Sequence, residues 1–258
     1  MASVDQSAMM AFVERLQRRS SLSDDESNAL LAMRGRTTIA RANVDIVSPD
    51  QHANHVSLII DGLVGRFGQV IDGRRQITAL HIAGDMCDLH SLVAPATEWP
   101  LQALTPTAIM QVSHAQLLAV ARAYPNIAEA FWRDCSVDAA ILSQWVVNVG
   151  RRDARSRMAH LFCEMAVRFE DAGDECRTHF TLPMSQTQLG DALGMTSVHV
   201  NRTLKALREA GLVMMSHHEV RVPCWRELAN VADFDPHYLQ IRLSRAAAAA
   251  TRPTLASV

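Results

Sequence analysis

The sequence predicts an α+β protein with an N-terminal antiparallel β-barrel or jelly-roll domain, a long helix and a C-terminal winged helix-turn-helix. Three observations predict this order. Short apolar runs between residues 39 and 112 are separated by turn signals, no Gly or Pro interrupts residues 126–149, and two capped helix starts follow residue 184. We therefore expect a first domain at 1–122, a helix at 123–150, a second domain at 151–240 with its motif at about 185–207, and a flexible tail at 241–258.

Length and composition fit a globular protein of two domains. The chain has 258 residues, of which 48% are hydrophobic, so it can bury a sizeable core, and its net charge is −2. Asp5 and Glu14 interrupt the N-terminal stretch, and nowhere do eighteen apolar residues run together. We therefore expect no secretion signal and no membrane partner, and a cytoplasmic location.

Cysteine usage argues against a disulfide framework or a zinc knuckle. The chain has 5 cysteines, an odd number at wide spacings with no CxxC pair. A cytoplasmic compartment keeps such thiols reduced. One of them, Cys135, is a candidate redox trigger, although a buried helical cysteine is more often inert packing.

The N-terminal half begins with a capped helix and continues into strands. In "SLSDDESNALLAMR", Ser23 and Glu26 form a capping box. Asp61-Gly62 and Asp72-Gly73 then stand between apolar runs, and Asp-Gly supplies the positive backbone dihedrals of tight hairpins. These signals predict an antiparallel, many-stranded domain.

The long helix carries two stripes of residues at helical spacing, one with a seven-residue period. One stripe can pack on the β domain and the other on a second copy, which is typical of a dimerisation helix; the alternative is a helix packed within a monomer. The predicted dimer-interface residues are Ile127, Phe131, Asp134, Val137, Ile141, Gln144, Trp145 and Asn148. Asn148 to Asp153 is a plausible hinge, with Gly150 ending one helix and Asp153 capping the next.

The stretch "MSQTQLGDALGMTSVHVNRTLKAL" predicts the helix-turn-helix. Ser185 with Gln188 forms a capping box, Gly194 suits the turn, and Thr196 caps the second helix. Gly190 is small where the two helices would cross. After Gly211, two short strands around residues 216–219 predict a wing.

The second helix predicts a polar outward face that suits DNA. At 100° per residue, Val200, Leu204 and Leu207 share one face, and Val198, Arg202 and Lys205 point the other way. No Ser/His/Asp or Cys/His arrangement, phosphate-binding Gly loop or HExxH motif is present, so an enzyme is not expected.

With these motifs in place, the chain resembles the Crp/Fnr superfamily of transcription regulators over nearly its whole length. "HIAGDMCDL" resembles the family's proline-glycine-acid loop, "YPN" opens the dimer helix, and "RRDARSRMAHLF" resembles the start of the DNA-binding domain. The resemblance implies a homodimer that binds an inverted repeat in double-stranded DNA, with RNA polymerase as a partner and a small-molecule or redox signal at the β domain. Half-sites should lie about 34 Å apart.

The chain departs from the family pattern at the positions that bind the signal molecule in other members. Cyclic-nucleotide-binding members hold the ribose with a Gly-Glu pair and the phosphate with an Arg-Ser pair; here the matching positions are Asp88-Leu89 and Thr97-Glu98, the possible effector pocket. A carboxylate at the phosphate site repels the ligand, by about 1 kcal/mol at 4 Å even in water, so cyclic nucleotide is not expected. An iron-sulfur cube needs four thiolates, and no cysteine precedes Cys87.

No cofactor is assigned, but haem or a metal stays open as an alternative. The candidate ligands are His52, His55, His81, Cys87 and His90. Scattered histidines are more often surface or core residues. If they did act as ligands, the chain would be a small-molecule, haem or metal sensor with secondary or constitutive DNA binding.

The resemblance also implies base and backbone contacts. In the family a Glu-x-x-x-Arg pair reads cytosine and guanine; here Arg202 is retained and Val198 replaces the Glu, so we expect guanine to be kept and T or A to be preferred at the other step. Predicted base contacts are Ser197, Val198, His199, Asn201 and Arg202. Predicted backbone contacts are Ser185, Gln186, Gln188, Thr196 and Lys205.

Overall fold

The structure, a computed structural model, describes residues 4–49, 52–95, 99–169 and 178–241. The chain divides into two compact units, and the boundary between Ala139 and Ala140 lies within one helix. The predicted tail falls, after residue 241, outside the described residues. Among the residues described, no helix is long and apolar enough to span a membrane.

The first unit consists of two antiparallel sheets with helices packed against them, as the sequence predicts. Its helices are α1 (Val4–Gln17), α2 (Asp24–Leu31), a 3₁₀ turn (Leu89–Leu92), α3 (His114–Ala123) and the first half of α4 (Pro125–Arg151). Its strands are β1 (Arg36–Ala40), β2 (Asp45–Val47), β3 (His55–Asp61), β4 (Val64–Gln69), β5 (Arg75–His81), β6 (Met86–Cys87), β7 (Leu101–Ala103) and β8 (Thr107–Ser113). The strand orders are β1-β8-β3-β6 and β2-β7-β4-β5.

Of the two Asp-Gly turns, one forms a hairpin and one does not. Gly73, at φ 86°, joins the paired strands β4 and β5. Gly62, at φ 99°, instead carries the chain from β3 in one sheet to β4 in the other, so the hairpin predicted there is wrong. Asp-Gly fixes the local dihedrals, but which strands pair afterwards depends on packing between the sheets.

A buried charge cluster ties α1 to α4 and to the loop before β6. The Asp134 carboxylate accepts from Arg19 Nη1 at 2.5 Å and from Arg15 Nε at 3.2 Å, and Arg15 also pairs with Asp85. The side chains of Asp134 and Asp85 are 2% and 3% exposed. Such burial of carboxylates is tolerated because guanidinium groups neutralise them.

The structure changes the interpretation of the long helix. Most side chains predicted to join two copies are buried in the single chain; these are Ile127, Phe131, Asp134, Val137, Ile141, Trp145 and Asn148, with Gln144 partly buried. The predicted dimer interface stays a prediction. The side of α4 that is exposed in the single chain carries Trp132, Leu142, Val146 and Val149.

The second unit contains the last turns of α4 and the winged helix-turn-helix. Its further elements are α5 (Ala154–Phe169), β9 (His179–Thr181), α6 (Gln186–Leu193), α7 (Ser197–Glu209), β10 (Met214–Ser216), β11 (Glu219–Arg221), α8 (Trp225–Ala232) and a 3₁₀ turn (Pro236–Leu239). Asp153 caps α5 as predicted, since its carboxylate accepts from Ser156 N at 2.8 Å.

Polar contacts fasten the end of α4 to α5, across the predicted hinge. Trp145 Nε1 donates to the Glu164 carboxylate at 3.0 Å, and Asn148 Nδ2 lies 3.1 Å from His160 Nδ1. Arg157 donates to the carbonyl oxygens of Val149, at 3.2 Å, and Arg152, at 3.0 Å. The turn at Asn148–Asp153 is therefore braced within the second unit.

Candidate nucleic-acid interface

Two capped helices set the geometry of the helix-turn-helix. Ser185 and Gln188 form the predicted capping box of α6, and Thr196 Oγ1 accepts from His199 N at 3.3 Å at the start of α7. Between them Gly194 has φ 63°, the left-handed conformation that glycine adopts without strain. The caps fix where each helix begins, so the side chains that follow have fixed directions.

The crossing of α6 and the turn needs a residue without a side chain. A Cβ atom placed on Gly190 would lie 2.5 Å from the carbonyl oxygen of Met195. Any larger residue would push the turn away from α6 and rotate α7. The sequence prediction of a small residue at this crossing is confirmed.

The recognition helix α7 has one buried and one exposed face. Val200 and Leu207 are fully buried and Thr203 is 5% exposed, whereas Val198 is 79% exposed. Leu204, predicted to be buried, is only partly so, because it lies at the border of the two faces. The outward side chains are Val198, Asn201, Arg202 and Lys205.

The charged groups of this face are free to meet a polyanion. Within the residues that the structure describes, the Arg202 guanidinium has no ion-pair partner, and Lys205 Nζ lies 3.7 Å from Glu209 Oε1 in an exposed pair of little strength. Ser197 and His199 are partly exposed beside them. The face presents hydrogen-bond donors and one apolar surface, that of Val198, to an incoming major groove.

The residues predicted to contact the DNA backbone do not all have free side chains. Gln188 is 9% exposed, and its Oε1 accepts from Ser185 N at 2.8 Å, so this side chain stabilises the start of α6. A phosphate contact by Gln188 stays a prediction. Ser185 and Thr196 are exposed although their hydroxyls already accept from backbone groups.

Gln186 and Asn201 contact each other at the outer edge of the motif. Asn201 Nδ2 donates to Gln186 Oε1 at 2.6 Å, and both side chains are exposed. The sequence predicts a DNA-backbone contact for Gln186 and a base contact for Asn201, but not the contact between these two side chains. Fifteen positions separate them along the chain, so only the angle between the helices brings them together.

The wing has three strands, of which the sequence predicted two. β10 and β11 pair antiparallel, and β9 adds a third strand on the other side of β11. The turn between β10 and β11 consists of His217 and His218, both with positive φ (50° and 72°), which is uncommon for residues with a Cβ. The missed strand is only three residues long and has no alternating pattern that could have predicted it.

In the first unit, the described part of the possible effector pocket contains an internal ion pair. Asp88 is 7% exposed, and its Oδ1 lies 2.9 Å from Arg66 Nη2 on β4. Leu89 is buried beside it, while Thr97 and Glu98 lie outside the described residues. The sequence reasoning missed Arg66, because no local motif joins it to the loop after residue 82.

The structure places the candidate haem or metal ligands in different surroundings. His81 and Cys87 are buried, His52 and His90 are exposed, and His55 is engaged by Asn54 and Gln111 at 2.8 and 2.9 Å. Among the described residues, no three His, Cys, Asp or Glu side chains come together as a metal site. The candidate thiols are hard to ionise: burial and Asp88 raise the pKa of Cys87, and burial and Asp138 raise that of Cys135 to about 12.

The helix-turn-helix and much of the rest of the chain are similar to known proteins. Residues 156–231 match the model of the Crp-like helix-turn-helix domain. The chain is 27% identical to nitrogen fixation regulation protein FixK of Azorhizobium caulinodans over 186 residues, 72% of this chain and 74% of that protein. It is 23% identical to transcriptional activator protein FnrA of Stutzerimonas stutzeri over 167 residues, 65% of this chain and 68% of that protein.

Solved structures agree with the fold over most of the chain. FixK2 from Bradyrhizobium japonicum matches with a TM-score of 0.69 at 26% identity, covering 76% of this chain and 96% of that one. A CooA mutant from Carboxydothermus hydrogenoformans matches with a TM-score of 0.62 at 16% identity, covering 77% and 88%. The second likeness is one of fold alone.

Proposed function

We propose that this chain, whose residues 156–231 match the Crp-like helix-turn-helix domain, is a transcription regulator of the Crp/Fnr family that binds an inverted repeat in DNA as a homodimer and is controlled through its N-terminal β domain. Two of its relatives, a nitrogen fixation regulation protein and a transcriptional activator, are regulators by name, which supports this proposal. Contact with RNA polymerase and a cytoplasmic location belong to the same proposal.

The exposed face of α7 carries this proposal. Arg202 and Val198 lie one helical turn apart on that face, with Asn201 beside them, while the opposite face is buried. Arg202 can donate two hydrogen bonds to guanine, and Val198 can pack against a thymine methyl group. We therefore propose half-sites that keep the guanine and favour T or A at the step next to Val198. Lys205 supplies a phosphate contact, and Ser197 and His199 contact bases or phosphates.

The homodimer is proposed to form through the exposed apolar stripe of α4. Trp132, Leu142, Val146 and Val149 are 67%, 41%, 61% and 38% exposed and follow one another at spacings of ten, four and three residues, which keep them on one side of the helix. Large apolar side chains in such a row on one helix are typical of a surface that pairs with a second helix. We propose this stripe in place of the set assigned from sequence, because most of that set is buried in the single chain.

The control signal is proposed to act without the usual cyclic nucleotide. In the described part of the pocket Asp88 pairs with Arg66, so a phosphate bound there would have to compete with that carboxylate. The signal itself, a small molecule or a redox change, stays a proposal. Neither haem nor a metal gains support from the placement of the candidate ligands.

Binding-site selection from random double-stranded DNA tests this function. Wild-type protein should recover an inverted repeat with half-sites about 34 Å apart, each with a guanine. Arg202→Ala should lose preference at that base pair by about 1 to 3 kcal/mol, whereas Lys205→Ala should weaken all sequences alike and flatten the salt dependence. Recovery of no consensus by the wild-type protein would reject the proposal.

A further inference from the structure

The hydrogen bond between Gln186 and Asn201 joins the beginnings of two fixed helices. Gln186 is the first residue of α6, directly after the N-cap Ser185, and Asn201 lies in the second turn of α7. The capping box and the close approach at Gly190 set the distance between these backbones. The 2.6 Å contact of Asn201 Nδ2 with Gln186 Oε1 is thus held between two supported positions.

This contact orients the Asn201 amide. One N–H of Nδ2 donates to Gln186, which leaves the second N–H and the carbonyl oxygen Oδ1 in the exposed part of the amide plane. Adenine is read in the major groove by one donor, to its N7, and one acceptor, from its N6 amino group. The groups left on Asn201 are one donor and one acceptor, so the bound orientation suits adenine.

The same contact uses up the acceptor of Gln186 and leaves its donor. With Oε1 engaged by Asn201, Nε2 of the exposed Gln186 side chain is the group available to a phosphate oxygen. A phosphate oxygen bound by Nε2 would fix the orientation of the Gln186 amide, and the Oε1 atom of that amide would in turn fix Asn201. The two amides form a chain from the DNA backbone to a base.

We infer that Gln186 is a positioning residue that sets the base preference of Asn201 without contacting that base itself. The inference rests on the proposed DNA-binding function and adds a residue that determines specificity. Without Gln186, the Asn201 amide can rotate and present its donor and acceptor in exchanged places, which favours no single base. A change at Gln186 should therefore alter preference at the base pair that Asn201 reads.

Equilibrium binding of the full-length protein to four operators tests this inference. The operators differ only at the base pair whose preference Asn201→Ala abolishes, and binding is followed by fluorescence anisotropy. Asn201→Ala should reduce the preference for adenine roughly 5- to 150-fold. Gln186→Ala should reduce it roughly 2- to 10-fold at the same base pair, and should add nothing in the Asn201→Ala background.

Two further variants separate positioning from a simple phosphate contact. Gln186→Glu keeps an acceptor oxygen for Asn201, so it should keep the adenine preference while weakening all four operators through repulsion of phosphate. Thr187→Ala, the exposed neighbour on α6, should leave the preference unchanged. All of the altered side chains are exposed, and thermal unfolding of each variant checks that it folds.

The results distinguish the inference from the function on which it rests. A uniform loss for all four operators in Gln186→Ala, or no change at all, overturns the inference while the Arg202 result leaves DNA recognition standing. The inference is also overturned if Gln186→Ala lowers the adenine preference as much in the Asn201→Ala background as it does in the wild-type protein. A wild-type protein that discriminates among no operators removes the proposed function, and the inference with it.

Discussion

Trp145, near the end of the long helix α4, donates its indole N–H to the carboxylate of Glu164 at 3.0 Å. Glu164 is fully buried, and it also accepts from the Tyr238 hydroxyl at 2.9 Å and lies 3.4 Å from Arg168 Nη1. One carboxylate therefore joins α4, α5 and the 3₁₀ turn near the end of the described chain. Burial raises its pKa, with Arg168 and the two donors opposing that shift.

Removal of this carboxylate should destabilise the second unit. Glu164→Ala removes one ion-pair partner of Arg168 and the acceptor of the Trp145 and Tyr238 donors, and breaking a buried charged network typically costs about 3 to 5 kcal/mol. Urea unfolding followed by Trp fluorescence measures the change. Glu209→Ala, which removes an exposed carboxylate beside Lys205, should cost less than about 1 kcal/mol. Equal losses in the two variants would contradict the role assigned to Glu164.

Mild acid should destabilise the protein through His160. Burial, with a smaller contribution from Arg152, lowers the pKa of His160 to about 3. A base with a lowered pKa in the folded state contributes stability that is complete above its unfolded pKa of about 6.5 and is lost as the pH falls towards the folded value. Between pH 7 and pH 5 the free energy of unfolding should therefore fall by about 2 kcal/mol through this one histidine.

The matched variant for this effect is His160→Gln, which cannot take up the proton. Urea unfolding of both proteins at pH 7 and pH 5 gives the difference between their pH dependences. The variant should lose about 2 kcal/mol less than the wild type over this interval. Parallel losses would show that His160 does not titrate in this way.

Restoring a carboxylate at position 198 should change the operator. Val198→Glu places an acceptor one turn before Arg202, where it can accept from cytosine N4, so preference at that step should move from T or A to cytosine. Site selection on random DNA shows the change, by about 1 to 3 kcal/mol at one base pair. The guanine read by Arg202 should stay; an unaltered consensus would show that Val198 faces no base.

A charge in the exposed stripe of α4 should separate the copies. Val146→Glu puts a carboxylate in the centre of the proposed interface, so sedimentation equilibrium should report a monomer and affinity for the inverted repeat should fall at least tenfold, or about 1.4 kcal/mol. Arg133→Glu places the same residue at an exposed position off the stripe and should remain dimeric. A dimeric Val146→Glu protein would locate the interface elsewhere.

The helix-turn-helix could be predicted because local chemistry determines it. Ser185, Gly194 and Thr196 each have a requirement set by their immediate neighbours, and the buried stripe of α7 has a clear helical period. The strand-rich first unit could be predicted from its turn signals, and the long helix that follows it from a stretch without Gly or Pro. Such features depend little on the rest of the chain.

The dimer stripe could not be predicted, because α4 has two plausible faces. Asp134 and Asn148 share a seven-residue period with Ile127 and Ile141, and this period was assigned to an interface between copies. Their partners, Arg19 for Asp134 and His160 for Asn148, are distant in sequence. Periodicity identifies a face but not what covers it, and the pairs Arg66–Asp88 and Gln186–Asn201 were missed for the same reason.

The boundary at Ala139 and Ala140 bears on how a C-terminal fragment of this protein should begin. A fragment that begins at residue 151, where domain organisation from sequence would start it, lacks Trp145 and Asn148, the partners of Glu164 and His160. A fragment that begins at Ala140 retains both helix anchors and the acceptor oxygen of Val149 for Arg157. Limited proteolysis of the whole chain should accordingly spare the peptide bonds between residues 145 and 157.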